Sequence, residues 1–391
     1  MGVKAIRRSK LAQQQKNTNI YNIKIADLSC DSKLILSDSD EKKVQRFFKD
    51  TQFYYPYQLY ISIDMNIADA LTKNFKTPYE MKKVLKTHED CIRFLEELIW
   101  RGEPVHPDYP TYKVYKCRDG WYKCKENGAE FNVLKGTLFQ GTKIDLTIWF
   151  EVILSLNINK GGVSANSLVR TYGFTYMTAW HMLQKIRNAM GFENHQQLKG
   201  DVEGDEYHAG GSLPNKHYGQ RLALKGVLYQ NKKLLQGFVQ RDGNAVIRVI
   251  PNMSDSTLNA GVLKYVEPGS NYYSDDNPSN QKLPPIYNHG VVIHSKGNYV
   301  NKDNKDIHTN NVENLWSRFK QAEGTYIKIS HKHVQNYANE VVFRYNTTKA
   351  EMSSVDATIW LLQNIHGTNI TWRQIRNAKY TRYNRDKARA A

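Results

Sequence analysis

The chain has 391 residues, 40% hydrophobic and 12% aromatic, so it is long and apolar enough to bury more than one core and is not an intrinsically disordered chain. Lys and Arg outnumber Asp and Glu by 55 to 38, and the net charge of +17 points to nucleic acid as a partner. The apolar run at 146–158 is too short for a bilayer, the N-terminus lacks a signal-peptide core, position 6 is Ile where myristoylation needs Ser or Thr, and Cys30, Cys91, Cys117 and Cys124 show no CxxC pair, so a soluble intracellular protein with no membrane partner is expected.

In chain order, residues 1–78 open with a basic segment (Lys4, Arg7, Arg8, Lys10), pass through a Gln/Asn-rich stretch, and carry an aromatic-rich run at 47–63 with strand character. Thr87 and Asp90 have capping-box spacing, and Ile92, Leu95, Leu98 and Ile99 follow at helical intervals. Short strands are expected at 112–115 and 120–123, then an apolar helix at 146–157. In 161–190, Ser164 caps a short helix, Gly173 makes a tight turn, and Thr175 caps a second helix whose Trp180, Leu183 and Ile186 face inward. Two helices joined in this way are the helix-turn-helix pattern, which leaves Tyr176, Thr178, His181, Gln184 and Lys185 for a DNA groove. After a linker at 194–200, strands are expected at 202–208, 222–229, 234–240 and 245–250, a helix at 256–266, strands at 271–275 and 291–294, and a long helix from Thr309. That order fits a mixed α/β domain around a central sheet. The end of the chain, from Trp372, is rich in Arg and Lys and suited to phosphate contact.

Three acids stand out by position. Asp205 lies in the first strand of the sheet, Asp275 closes a later strand, and Glu313 sits in the first turns of the long helix, with Lys320 seven residues on and about 10 Å along the same face. Any one of them alone is an ordinary surface or turn carboxylate. Carboxylates converging from strand ends and a helix are what hard divalent cations require, and a pair of such ions can drive phosphodiester chemistry.

The runs DVEGDEYHAGG (201–211), YYSDD (272–276), VVIHSKGNYV (291–300), IHTNNVENLWSRFK (307–320) and SHKHVQNYANEVVFRYN (330–346), in this order, closely resemble bacterial insertion-sequence transposases related to eukaryotic Merlin elements. Upstream, EDCIRFLEELIWRGEPV, GTLFQGTKIDLTIWF and residues 161–190 resemble that family's zinc ribbon and helix-turn-helix, so the resemblance spans about residues 79–350. It implies a mixed α/β, multi-domain chain: 1–78 an unassigned extension, 79–195 a degenerate zinc ribbon plus helix-turn-helix, 198–350 a ribonuclease-H-like DDE domain, and 351–391 a basic tail.

The implied activity is that of a DNA transposase, binding terminal inverted repeats and catalysing metal-dependent strand cleavage and strand transfer. Asp205, Asp275 and Glu313 are the implied ligands of Mg²⁺ or Mn²⁺, with Lys320 as the trailing base; Asn310 competes for the third position, since some relatives use Asn there. His294 and His308 are read as structural hydrogen-bonding residues. The family's two ribbon Cys pairs fall on His106 with Tyr109 and on Cys124 with Asn127, too few ligands for tetrahedral zinc. No zinc is therefore expected, and packing of Trp121, Tyr122 and Phe131 takes its place. Joining two DNA ends implies a homodimer or higher assembly in the cytoplasm with the DNA, or in the nucleus of a eukaryotic host. The alternative is a domesticated or inactive relative that binds DNA without cutting it; a structure-specific nuclease on the same fold is a third reading.

Overall fold

The structure, a computed structural model, describes residues 75, 77–210, 218–219, 232–276, 278, 283–292, 307–327 and 329–378. The basic N-terminal segment, the run at 47–63, the strand expected at 222–229, His294 and the tail beyond 378 lie outside the described residues. Among the described residues no helix is long and apolar enough to cross a membrane.

The first described elements are helices α1 (Pro78–Val84) and α2 (His88–Trp100). Thr77 and Thr87 close reciprocal capping boxes with Glu80 and Asp90, satisfying N–H groups that a helix start leaves orphaned. A small antiparallel sheet follows: β1 (Val114–Arg118), β2 (Trp121–Cys124) and β3 (Glu130–Phe131), in that order. Its inner side is aromatic. The ring of Trp100 meets those of Tyr122 and Phe131 edge-on, with centroids 5.1 and 5.7 Å apart, and His106 packs on Phe131 at 4.7 Å. Trp121, expected in this packing, instead carries the Arg118 guanidinium over its ring at 4.5 Å.

Helices α3 (Leu146–Ile158), α4 (Ala165–Tyr172) and α5 (Tyr176–Ala189) come next. Ser164 and Thr175 cap α4 and α5, and α4 ends at Gly173 with φ +69°, the left-handed conformation that glycine adopts without a Cβ penalty.

A five-stranded mixed sheet occupies the centre of the chain: β4 (Asp201–Ala209), β5 (Lys233–Gln240), β6 (Ala245–Ile250), β7 (Asn271–Asp275) and β8 (Asn288–Val292). In space the order is β6-β5-β4-β7-β8. The first three strands are antiparallel, whereas β7 runs parallel to β4 and β8 parallel to β7. Helix α6 (Asp255–Tyr265) covers one face, packing Val262 and Tyr265 with Val202, Phe238, Val246 and Tyr272. Helices α7 (Asn310–Tyr326) and α8 (Val334–Lys349) cover the other, where Leu315, Phe319 and Val342 meet Ala209, Leu235, Val239 and Ile247. The strand alternation thus sends 203, 205, 207 and 209 toward α7.

The region expected as a basic tail, 351–391, begins differently. Residues 354–376 include helices α9 (Ser354–Gln363) and α10 (Trp372–Arg376), and Val355, Ile359, Leu361 and Ile365 join the core of Phe94, Leu98, Trp149 and Leu183. The segment is divided: its upstream half is apolar, and its basic residues gather from Arg373 onward.

Candidate metal and DNA site

Asp205 lies on β4 on the side covered by α7. Its Oδ1 accepts the backbone N–H of Glu206 at 2.7 Å and its Oδ2 accepts the Trp316 indole N–H from α7 at 2.9 Å. Trp316 stacks on Tyr207 at 5.1 Å, and the Tyr207 hydroxyl donates to Glu323 at 2.8 Å, so successive residues on this face of β4 grip α7 turn by turn. Asp275 ends β7, the parallel neighbour of β4. The register that pairs Glu203 with Tyr273 carries Asp205 and Asp275 alongside each other two residues further on. Glu313 stands half-buried in the first turns of α7.

These acids share one electrostatic field. Burial pushes the Asp205 carboxyl up to about 6, and the charges of Asp275 and Glu313 add in the same direction, against the hydrogen bonds from Glu206 and Trp316. Asp205 nonetheless keeps part of its surface in solvent. Asn310 and Lys320 are both exposed on α7, one turn before Glu313 and two turns after it. Among the described residues no group of three or more His, Cys, Asp or Glu side chains is arranged to hold a metal ion. The acids are brought into mutual repulsion, not into a closed coordination shell. Carboxylate oxygens are the donors that hard divalent cations take, and a cation beside Asp205 would offset the burial and neighbouring charge that oppose its ionisation.

The DNA-facing set expected on α5 needs correction. Tyr176 is 52% exposed and Thr178 half-buried, but the helix sinks inward after its first turn. Gln184 is buried, its side chain meeting Asn336 at 3.1 Å and the Tyr337 hydroxyl at 3.3 Å on α8. Lys185 is also buried, its Nζ donating to the Leu138 carbonyl at 2.8 Å, and desolvation pulls it down to about 8. His181 packs against Trp372 of α10 at 5.2 Å and is lowered to about 4, chiefly by burial. Most of the face expected in a groove is an internal seam because α8 and α10 cover it.

In the small sheet, His106 is buried with Nε2 2.8 Å from Lys135 Nζ, Cys124 is buried, and Asn127 accepts the Ala129 N–H at 3.0 Å. Cys117 is exposed on β1.

Glu203, Arg241 and Trp316 were not singled out as site residues from sequence. Glu203 and Tyr207 could have been, because they share the parity of Asp205 on a strand.

Comparison with known proteins agrees with the motifs. Residues 197–346 match the ISXO2-like transposase domain family. The chain is also 22% identical over 250 residues, 59% of its own length and 81% of the relative's, to an uncharacterized protein in transposable element ISH50 of Halobacterium salinarum. The resemblance to insertion-sequence transposases is therefore found over the residues that carry the acids.

Proposed function

We propose that this chain is a DNA transposase of an insertion sequence, binding terminal inverted repeats and catalysing divalent-metal-dependent strand cleavage followed by strand transfer. The observation that carries the reading is the shared field of Asp205, Asp275 and Glu313, from two adjacent parallel strands and a helix, inside the segment that matches the transposase domain. A sheet of three antiparallel strands followed by two parallel ones, with the first strand central, supports a ribonuclease-H-like domain. The α4–α5 pair, closed by Gly173 and capped by Thr175, supports a helix-turn-helix whose accessible part is the Tyr176–Thr178 end.

Asp205, Asp275 and Glu313 would hold Mg²⁺ or Mn²⁺, which when bound activates an attacking oxygen and stabilises the leaving one. Trp316 and the Glu206 N–H orient the Asp205 carboxylate, leaving each oxygen a lone pair for a ligand. Lys320, on the same face of α7 and in solvent, would hold a phosphate oxygen of the strand being cut. Water adds to the phosphorus at the element end and the 3′-oxygen leaves; that 3′-hydroxyl then attacks a target phosphodiester, so one P–O bond breaks for each that forms. Two ends must be joined, so a homodimer or higher assembly on DNA is part of the proposal.

The test is cleavage and strand transfer on duplexes made from DNA flanking the gene, with Mn²⁺. Wild type should give products confined to the repeat ends, and Asp275→Asn should bind but not cut. Glu313→Gln should lose cleavage while Asn310→Ala retains it; the reverse would move the third position to Asn310. Binding without cleavage by folded wild type would instead identify a DNA-binding relative that no longer cuts.

A further inference from the structure

Two residues before Asp205, on the same face of β4, stands Glu203, fully buried. Its Oε2 accepts the backbone N–H groups of Asn311 at 2.8 Å and Val312 at 3.2 Å, and its Oε1 accepts the Asn311 side-chain amide at 2.9 Å. These are first-turn donors of α7, whose own N-cap residue, Thr309, makes no side-chain capping bond. A carboxylate from a strand therefore does what a local Ser, Thr or Asp does for most helices, and it also matches the positive end of the helix dipole.

The partner of Glu203 extends the connection. Arg241, just after β5, donates from Nε to Glu203 Oε1 at 2.8 Å and from Nη2 to the His308 carbonyl at 3.1 Å. Its backbone N–H donates to the Asp201 carbonyl at 2.9 Å, and its guanidinium lies over the Tyr273 ring at 4.3 Å. His308 Nδ1 lies 3.1 Å from Glu203 Oε1. Every element that carries an acid is thus held two residues before that acid: Glu203 precedes Asp205 on β4, Tyr273 precedes Asp275 on β7, and Asn311 precedes Glu313 on α7.

We propose that the buried Glu203–Arg241 pair is the positioning device of the acid cluster, fixing β4, β7 and the first turn of α7 in the register that presents Asp205, Asp275 and Glu313 to a divalent cation. The role of the cation rests on the transposase reading. Burying a carboxylate is costly, and a side chain at Thr309 could cap α7 with less desolvation. Only a cap supplied by β4 also fixes the helix against the strand. Arg241 neutralises Glu203, so the device adds no net negative charge beside acids that already repel one another. Neither residue touches the cation or the DNA in this role; both act through the acids.

The test is a Mn²⁺ titration of the full chain, with free Mn²⁺ read by its paramagnetic resonance signal, so that no turnover is needed. The proteins compared are wild type, Asp205→Asn, Glu203→Gln, Arg241→Lys and Glu340→Gln, the last removing an equally buried carboxylate in the α5–α8 seam. Wild type should bind Mn²⁺ and Asp205→Asn should lose a site. Glu203→Gln and Arg241→Lys should weaken binding by about tenfold or more, as removal of groups that orient metal ligands does. Glu340→Gln should lower the melting temperature and leave the Mn²⁺ midpoint in place. Folded Glu203→Gln and Arg241→Lys proteins that titrate like wild type would overturn the proposal while leaving the transposase reading intact. If Glu203→Gln does not fold, Arg241→Lys decides; loss of fold in both marks the pair as a folding requirement and rejects the positioning role. Wild type that binds no Mn²⁺ overturns the metal-dependent reading, and the proposal with it.

Discussion

Asp205 holds its proton more tightly in the folded chain than its ordinary value of 3.8 allows, because burial and two neighbouring acids disfavour its charge. The sign follows by linkage: this residue contributes stability fully below about pH 4, and the contribution is lost as the pH rises through about 6. The loss amounts to on the order of 2–3 kcal/mol at neutral pH. In the presence of chelator, Asp205→Asn should therefore gain on wild type between pH 4 and pH 7.5, and thermal unfolding at the two pH values measures it. Parallel pH dependence in the two proteins would mean that Asp205 is not under this strain. His181 and His333, both lowered to about 4 by burial beside Trp372 and Trp180, act in the opposite sense. Their neutral forms stabilise the fold above about pH 6.5, and that contribution is lost as acid charges them. Comparison with the Asn variant cancels this term.

At the scale of elements, the face of β4 that carries Asp205 works only because its neighbours leave room. Gly237 of β5 pairs with Asp205, and a Cβ there would stand 2.6 Å from Trp316 Cζ2. Gly237→Ala should push the indole off Asp205 and cost about 1–3 kcal/mol, as overpacking does; an unchanged denaturation midpoint would show that α7 shifts freely. In the small sheet, the Lys135 ammonium occupies the side of His106 where a cation would approach, and Cys124 is buried in the core that also holds Trp100, Tyr122 and Phe131. Protein purified without added metal should contain no stoichiometric zinc by elemental analysis, and one ion per chain would refute this.

Local signals were legible where a few adjacent residues decide the outcome. Thr87, Ser164 and Thr175 mark helix starts, Gly173 a helix end, and β6 and β7 occupy the ranges expected of them, β7 with alternating burial. Helix α7 begins where Thr309 suggests, but the group that caps it comes from residue 203, a contact no local pattern contains. Helix α8 is hard to read from its pattern because Asn336, Asn339, Glu340 and Asn346 are buried through pairing beside the apolar Val334, Ala338 and Val342, so polarity does not mark a solvent face. The same polar burial hides the cover that α8 places over α5. The acids are read from the order of their motifs, whereas Trp316 and Arg241, which contact Asp205 and Glu203, lie far away in sequence.

Across the whole molecule, the net charge of +17 should appear as salt dependence. Affinity for duplex DNA should fall log-linearly with salt concentration, with a slope that reports the number of phosphates neutralised, for wild type and Asp275→Asn alike. A titration by fluorescence anisotropy at several ionic strengths measures it, and binding insensitive to salt would exclude the phosphate backbone as the main contact. Internally, the halves of the described chain are joined by a buried ion pair. Arg187 of α5 donates to Glu340 of α8 at 2.7 Å, between the rings of Tyr326 and Tyr337, and Glu340 also accepts from the Tyr326 hydroxyl at 2.5 Å. Removing Glu340 would leave the buried Arg187 charge uncompensated, whereas Glu340 has a second cation in Arg344 at 3.2 Å.

The core that begins with Phe75 in sequence is completed by Phe343, Val355, Ile359 and Ile365. That arrangement has a consequence for biosynthesis. A ribosome that has released the first 190 residues has delivered only part of a hydrophobic core, and the missing side chains are still to be translated. Domains usually fold as they emerge, N-terminal first. Here the helices from Pro78 onward must wait until residue 365 has been made, with the central sheet inserted between the two contributions. A product terminated before residue 355 therefore lacks part of this core, whereas the two cores of the central sheet draw on no residue beyond Tyr345.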